Sequence, residues 1–112
     1  MSPPPGELTG ATAAPVFAAL GDETRLKLLA RLCQGEPLSI AQLTEGTRLT
    51  RQGVTKHLGI LARARIVVSQ RIGRESRYTV RPEALDAAGD YLSRASRQWD
   101  ETVGRLRKLV EE

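Results

Sequence analysis

With 112 residues, 40% of them hydrophobic but only 4% aromatic, the chain has room for one domain whose core must come from Leu, Val, Ile and Ala. Its net charge of +4 is unevenly spread: Arg48 to Arg81 holds nine Lys/Arg against one acid, while the remainder is net acidic, and such a block points to a polyanion partner. No apolar run approaches the roughly 18 residues that span a bilayer, and MSPPPGELTG lacks the basic start and apolar stretch of a secretory signal, so the chain reads as cytoplasmic with no membrane partner.

Residues 1–12, with three consecutive prolines and little that is apolar, are expected to form a disordered tail, leaving 13–112 as the folded domain. A short first helix is expected over Pro15–Leu20, with Pro at the permitted first turn and Val16, Phe17 and Leu20 inward. Asp22 caps a second helix with an apolar stripe of Leu26, Leu28, Leu29, Leu32 and Cys33, which Gly35 and Pro37 stop. Ser39-Ile-Ala-Gln42 has the form of a capping box, so a brief third helix starts there with Ile40 and Leu43 inward. Thr50 caps a fourth helix, Arg51 to about Ala64. Two short helices around a tight turn, the second longer and basic, outline a helix-turn-helix.

The period then changes. Ile66–Ile72 is β-branched and predicts a strand, Gly73–Ser76 a hairpin tip and Arg77–Val80 the return strand. Pro82 opens a last helix, about 82–111, whose Leu85, Ala88, Leu92, Ala95, Trp99, Val103, Leu106 and Val110 recur by threes and fours as one seam. The expected fold is mainly α with a small β-hairpin, in the order α-α-α-α-β-β-α: a winged helix-turn-helix.

On the fourth helix Val54, Leu58, Leu61 and Ala62 fall within about 100° of one another and should pack inward. Gln52, Thr55, Lys56, Gly59 and Arg63 occupy a separate arc that mixes amide, hydroxyl and cationic groups. Gln can bond adenine bidentately, Lys or Arg can reach guanine, and Thr can meet a thymine methyl. Thr50, Arg51 and Gln52 lie at a helix N-terminus, where backbone N–H groups favour a phosphate. Arg71, Arg74 and Arg77 surround the glycine turn of the hairpin, placed for a phosphate backbone or a minor groove. The competing readings are a solvated helix face and a charged hairpin that blunts its own edges. His57 falls between the two faces, as a helix-packing residue or a DNA contact.

Cys33 is the only cysteine and is expected to be a small buried hydrophobe, with a thiol switch as the alternative. One Cys and one His on separate helices form no nucleophile–base pair or metal cluster, so neither an enzyme nor a metal site nor a cofactor is expected. A winged helix that binds proteins instead of DNA is the rival reading.

Four segments resemble the ArsR-type family of bacterial winged-helix repressors: Ala19–Arg25, Leu38–Leu43, Thr50–Leu58, and Gly73-Arg74 through Arg77-Tyr78. The resemblance spans about Phe17 to Leu109. It implies operator occupancy on double-stranded DNA, with the helix containing Thr55, Lys56 and His57 in the major groove. It also implies a homodimer built from the first and last helices, which places Phe17 with the seam residues Leu92 to Val110 at the interface. Metal-sensing members carry two cysteines in the third helix at positions that match Ser39 and Ala41 here, and others use His ligands in a last helix that has none in this chain. The likeness is therefore to the non-metal branch, whose long last helix carries a Trp comparable to Trp99. As a seam residue Trp99 anchors core or interface; as an alternative it walls a small-molecule pocket. Whether a small-molecule effector acts stays open at this point.

Overall fold

Helix starts need acceptors for their orphan N–H groups, and side-chain oxygens supply them here. The computed structural model describes residues 6–111, in the order α1 (Gly10–Leu20), α2 (Glu23–Leu32), β1 (Leu38–Ser39), α3 (Ile40–Thr44), α4 (Arg51–Arg63), β2 (Val67–Ile72), β3 (Glu75–Val80) and α5 (Pro82–Glu111). Asp22 Oδ2 accepts from Arg25 N at 3.1 Å, and Thr50 Oγ1 from Gly53 N at 3.0 Å. At α3 the capping box is reciprocal: Gln42 N donates to Ser39 Oγ at 3.2 Å, and Ser39 N to Gln42 Oε1 at 2.9 Å.

Two expectations at the N-terminus are corrected. Helix α1 begins at Gly10, not Pro15, because Thr9 and Thr12 cap each other's backbone N–H groups at 3.3 and 2.7 Å. Pro15 thus lies inside the helix. The expected tail is also shorter than 1–12, since Arg94 donates to Leu8 O at 3.0 Å and pairs with Glu7 at 3.1 Å, tying this segment to α5. Residues 1–5 of that tail lie outside the described residues.

The core gathers Leu28, Leu29 and Leu32 of α2, Leu43 of α3, Val54, Leu58 and Leu61 of α4, and Ile66 and Val67 beyond it. Each fully buried aliphatic side chain contributes roughly 1.5–3 kcal/mol against leaving it in water. The inward residues expected for α3 and α4 are those observed. The α2 stripe is narrower than expected: Leu26 is 49% exposed and Cys33 is exposed too. Leu26, Ala30 and Cys33 lie along a neighbouring stripe of the helix, and all three are exposed.

Helix α4 ends one residue earlier than expected, in a Schellman arrangement: Ile66 N donates to Leu61 O and Arg65 N to Ala62 O, both at 3.0 Å. Arg65 takes the left-handed position with φ 61°, where glycine is usual. The sheet is antiparallel in the order β1-β3-β2, so a strand is present that the pattern did not predict. Leu38 pairs with Tyr78 and Ser39 with Arg77; two residues are too few to show an alternation. The hairpin tip is only Gly73-Arg74, between the paired Ile72 and Glu75. Gly73 has φ 65°, the conformation wanted at the first central position of a two-residue hairpin turn.

The radius of gyration is 18.3 Å, whereas a compact chain of this length has about 13 Å. Helix α5 accounts for the excess. It is 30 residues, about 45 Å of continuous helix, and only Ala88 in it is buried. Leu85 packs on the core, and Tyr91 meets Phe17 of α1 at 5.7 Å between ring centroids. Beyond Arg94 most of its residues are exposed.

Candidate nucleic-acid interface

The buried stripe of α4 dictates what its opposite side presents. Because Val54, Leu58 and Leu61 are fully buried, Gln52, Thr55, Lys56 and Arg63 are held outward on one arc, all exposed. Thr55 Oγ1 donates to Arg51 O at 2.7 Å, so its methyl and lone pairs remain for a partner. Thr50, exposed, spends its hydroxyl as the helix cap. Among the described residues, Arg51, Lys56, Arg63, Arg71 and Arg74 have no carboxylate within ion-pair distance.

Gly59 interrupts the arc. A Cβ built there would meet only Arg63 Nη1, at an ordinary 3.5 Å. Nothing within the chain therefore requires glycine, which costs about 1 kcal/mol against alanine in a helix interior.

His57 is not part of the exposed arc. Its ring is half-buried against α2, where Arg25 Nη1 lies 3.2 Å from His57 Nδ1 and Asp22 Oδ2 lies 3.9 Å away. The guanidinium has only hydrogens to offer, so Nδ1 accepts. Arg25 also donates from Nε to Ala19 O at 2.6 Å, clasping the end of α1, the start of α2 and the middle of α4. His57 thus packs against α2 through Arg25. Arg25 was missed as a positioning residue because its role depends on contacts 32 residues apart.

The Arg25 backbone N–H holds the Asp22 carboxyl below its ordinary range, aided by the Arg25 charge and opposed by partial desolvation. A lowered carboxylate value adds stability above the unfolded value of about 3.9, lost as pH falls through the lower folded value. Asp22→Asn should therefore be less stable than the native chain at pH 7, and the gap should close below about pH 4. Denaturant titrations at both pH values check this.

The wing separates its arginines. Strand alternation puts Arg71 with Ser69 and Tyr78 on one face, and Arg77 with Gln70 and Glu75 on the other. Arg77 is held by Glu75, from Nε at 3.2 Å and Nη2 at 3.1 Å, so its charge is locally matched. Arg74 stands alone at the tip. Arg51 and Arg77 are brought together instead, bordering a groove between α3, the start of α4 and β3, with Glu45 and Glu75 beside them.

A family model described as a helix-turn-helix domain matches residues 20–70. An HTH-type transcriptional regulator of Mycobacterium tuberculosis is 34% identical over 78 residues, covering 70% of this chain and 72% of that one. The ArsR-like transcriptional regulator from Rhodococcus sp. RHA1 superimposes with a TM-score of 0.83 at 34% identity, over 90% of this chain and 92% of that one. The chain belongs to the ArsR-type family of winged helix-turn-helix transcriptional regulators. The arsenical resistance operon repressor of Bacillus subtilis is a further relative, 31% identical over 70 residues, covering 62% of this chain and 67% of that one. In this ArsR-type chain α3–α4 is the helix-turn-helix and β2–β3 the wing. Ser39 and Ala41 sit at the start of α3, where Ser39 is occupied as the cap and Ala41 carries no donor atom.

Proposed function

We propose that the chain is a homodimeric repressor that occupies an inverted-repeat operator in the cytoplasm and senses no metal. The observation that carries the reading is the α4 arc: base-reading and cationic groups with unmatched charge, held outward by a fully buried opposite face. In this reading Gln52, Thr55 and Arg63 read bases in the major groove, Lys56 meets a phosphate at its edge, Thr50 and Arg51 hold phosphate at the helix N-terminus, and Arg71, Arg74 and Arg77 follow the adjacent backbone. His57 supports α4 from behind. Phe17 and the seam Leu92, Ala95, Trp99, Val103, Leu106 and Val110 form the dimer interface. Metal independence is supported by Ser39 and Ala41, which offer no thiolate.

Selection of genomic fragments on the purified chain tests the reading. Enriched fragments should share an inverted repeat with half-sites about 34 Å, or one turn, apart, with unchanged enrichment in a chelator. Fragments without a common repeat would sink it. Gly59 supplies a second check. Gly59→Ala should raise the unfolding free energy by up to about 1 kcal/mol while weakening duplex binding, since its methyl lies where the groove must approach. Denaturation and gel-shift titrations of the same preparation measure both.

A further inference from the structure

The turn leading into α4 closes a cavity of about 310 Å³ against α2 and α3. Leu28 and Leu43, both buried, and the half-buried Leu49 line it, while Lys27, Arg31 and Arg48 are its charged residues and no carboxylate lines it. Four other surface cavities each carry at least one Asp or Glu. Small-ligand sites run from about 300 to 1,000 Å³, so this one suits a compact molecule. The partly exposed Leu49 gains from covering by an apolar body, and clustered cations gain from an anion.

The three cations differ in what already engages them. Arg31 Nη1 donates to Gln42 O at 3.2 Å and Leu43 O at 3.1 Å, which fixes the guanidinium at the cavity wall. Its Nε and Nη2 bond no acceptor among the described residues. Lys27 pairs with Glu23 at 3.1 Å on open surface, a contact easily exchanged. Arg48 has no carboxylate partner among the described residues. Guanidinium groups match carboxylates with two parallel hydrogen bonds, so Arg31 and Arg48 are the natural anion holders.

We propose that this cavity binds a small amphiphilic carboxylate, an aromatic or short acyl acid, with its anion on Arg31 and Arg48 and its apolar part against Leu49. Thr47, Arg48 and Leu49 lead directly into the Thr50 cap, so occupancy is felt where α4 begins. A ligand that prefers the DNA-free chain must lower DNA affinity by the factor by which DNA lowers its own. Binding of the acid does not depend on the DNA reading, and is measured without DNA.

The test titrates the isotope-labelled full chain with benzoate and with hexanoate, using benzamide and hexanol as uncharged counterparts. At least one acid should shift the amides of Thr24, Leu28, Leu43 and Leu49 saturably, with its counterpart about tenfold weaker or more. Arg48→Gln should weaken the acid about tenfold, Lys27→Gln less, and Arg105→Gln on α5 not at all. Both cavity variants change exposed side chains, and an unchanged spectrum elsewhere confirms their fold. The proposal is overturned if neither acid saturates by about 10 mM, if counterparts bind equally, if the shifts centre on the wing arginines, or if Arg48→Gln binds like the native chain.

Discussion

Lys56→Ala and Arg74→Ala are expected to weaken binding to every duplex by a similar factor, each lowering the salt slope by about 1. Both side chains are exposed, and no carboxylate in the described chain neutralises either, so each can release a condensed counterion on meeting a phosphate. Arg77→Ala should matter less, since Glu75 already holds that guanidinium. Gln52→Ala and Thr55→Ala should act differently, costing about 1–3 kcal/mol at one base-pair position and relaxing preference there. Thr55 has already given its hydrogen to Arg51 O, so its expected partner is a thymine methyl or a base amino group. Gel shifts over a salt series, repeated with a library of operator variants, separate the two classes. If the Lys56, Arg74, Gln52 and Thr55 variants all bind like the native chain at every salt concentration, the assignment is removed.

Trp99→Ala and Leu106→Glu are expected to convert a dimer into monomers and abolish tight operator binding. In the single chain Leu92, Trp99 and Leu106 are 55%, 64% and 53% exposed, on the same stripe whose earlier members Leu85 and Ala88 pack inward. A helix that continues an apolar stripe beyond its own body leaves that surface for another chain. A central tryptophan anchor is typically worth 2 kcal/mol or more, which raises the dissociation constant by about 30-fold. In a two-fold interface Leu106→Glu would put a carboxylate from each chain into the apolar seam, and its effect should be the larger. Sedimentation at micromolar concentration, with circular dichroism to show retained helix, measures this. A native chain that sediments as a monomer would refute the interface outright.

Much of this architecture was legible because local chemistry and packing agree. Asp22, Ser39 and Thr50 each announce a helix through a side-chain oxygen, and the residues behind them have the period that buries one face. What escaped was set by distant partners. Strand β1 exists through its pairing with Tyr78 and Arg77, and α1 starts early through a Thr–Thr box that lacks the usual Glu or Gln. Cys33 sits at the end of α2, on the stripe that the core does not reach, so its apolar character misled. Of the candidate site, the exposed arc followed from helical spacing alone. The burial of His57 did not, because it depends on Arg25 of another helix. The opposed faces of Arg71 and Arg77 required the hairpin register.

One unbroken helix joins the DNA-reading body, anchored through Leu85, Ala88 and Tyr91, to the distal apolar seam. Such a rod transmits rotation as well as distance. In the homodimer proposed above, each residue added or removed beside Tyr91 would turn each DNA-reading body relative to the seam by about 100° and move it about 1.5 Å. The half-site spacing that such a dimer could read would then be set by α5, and operator and helix would have to change together.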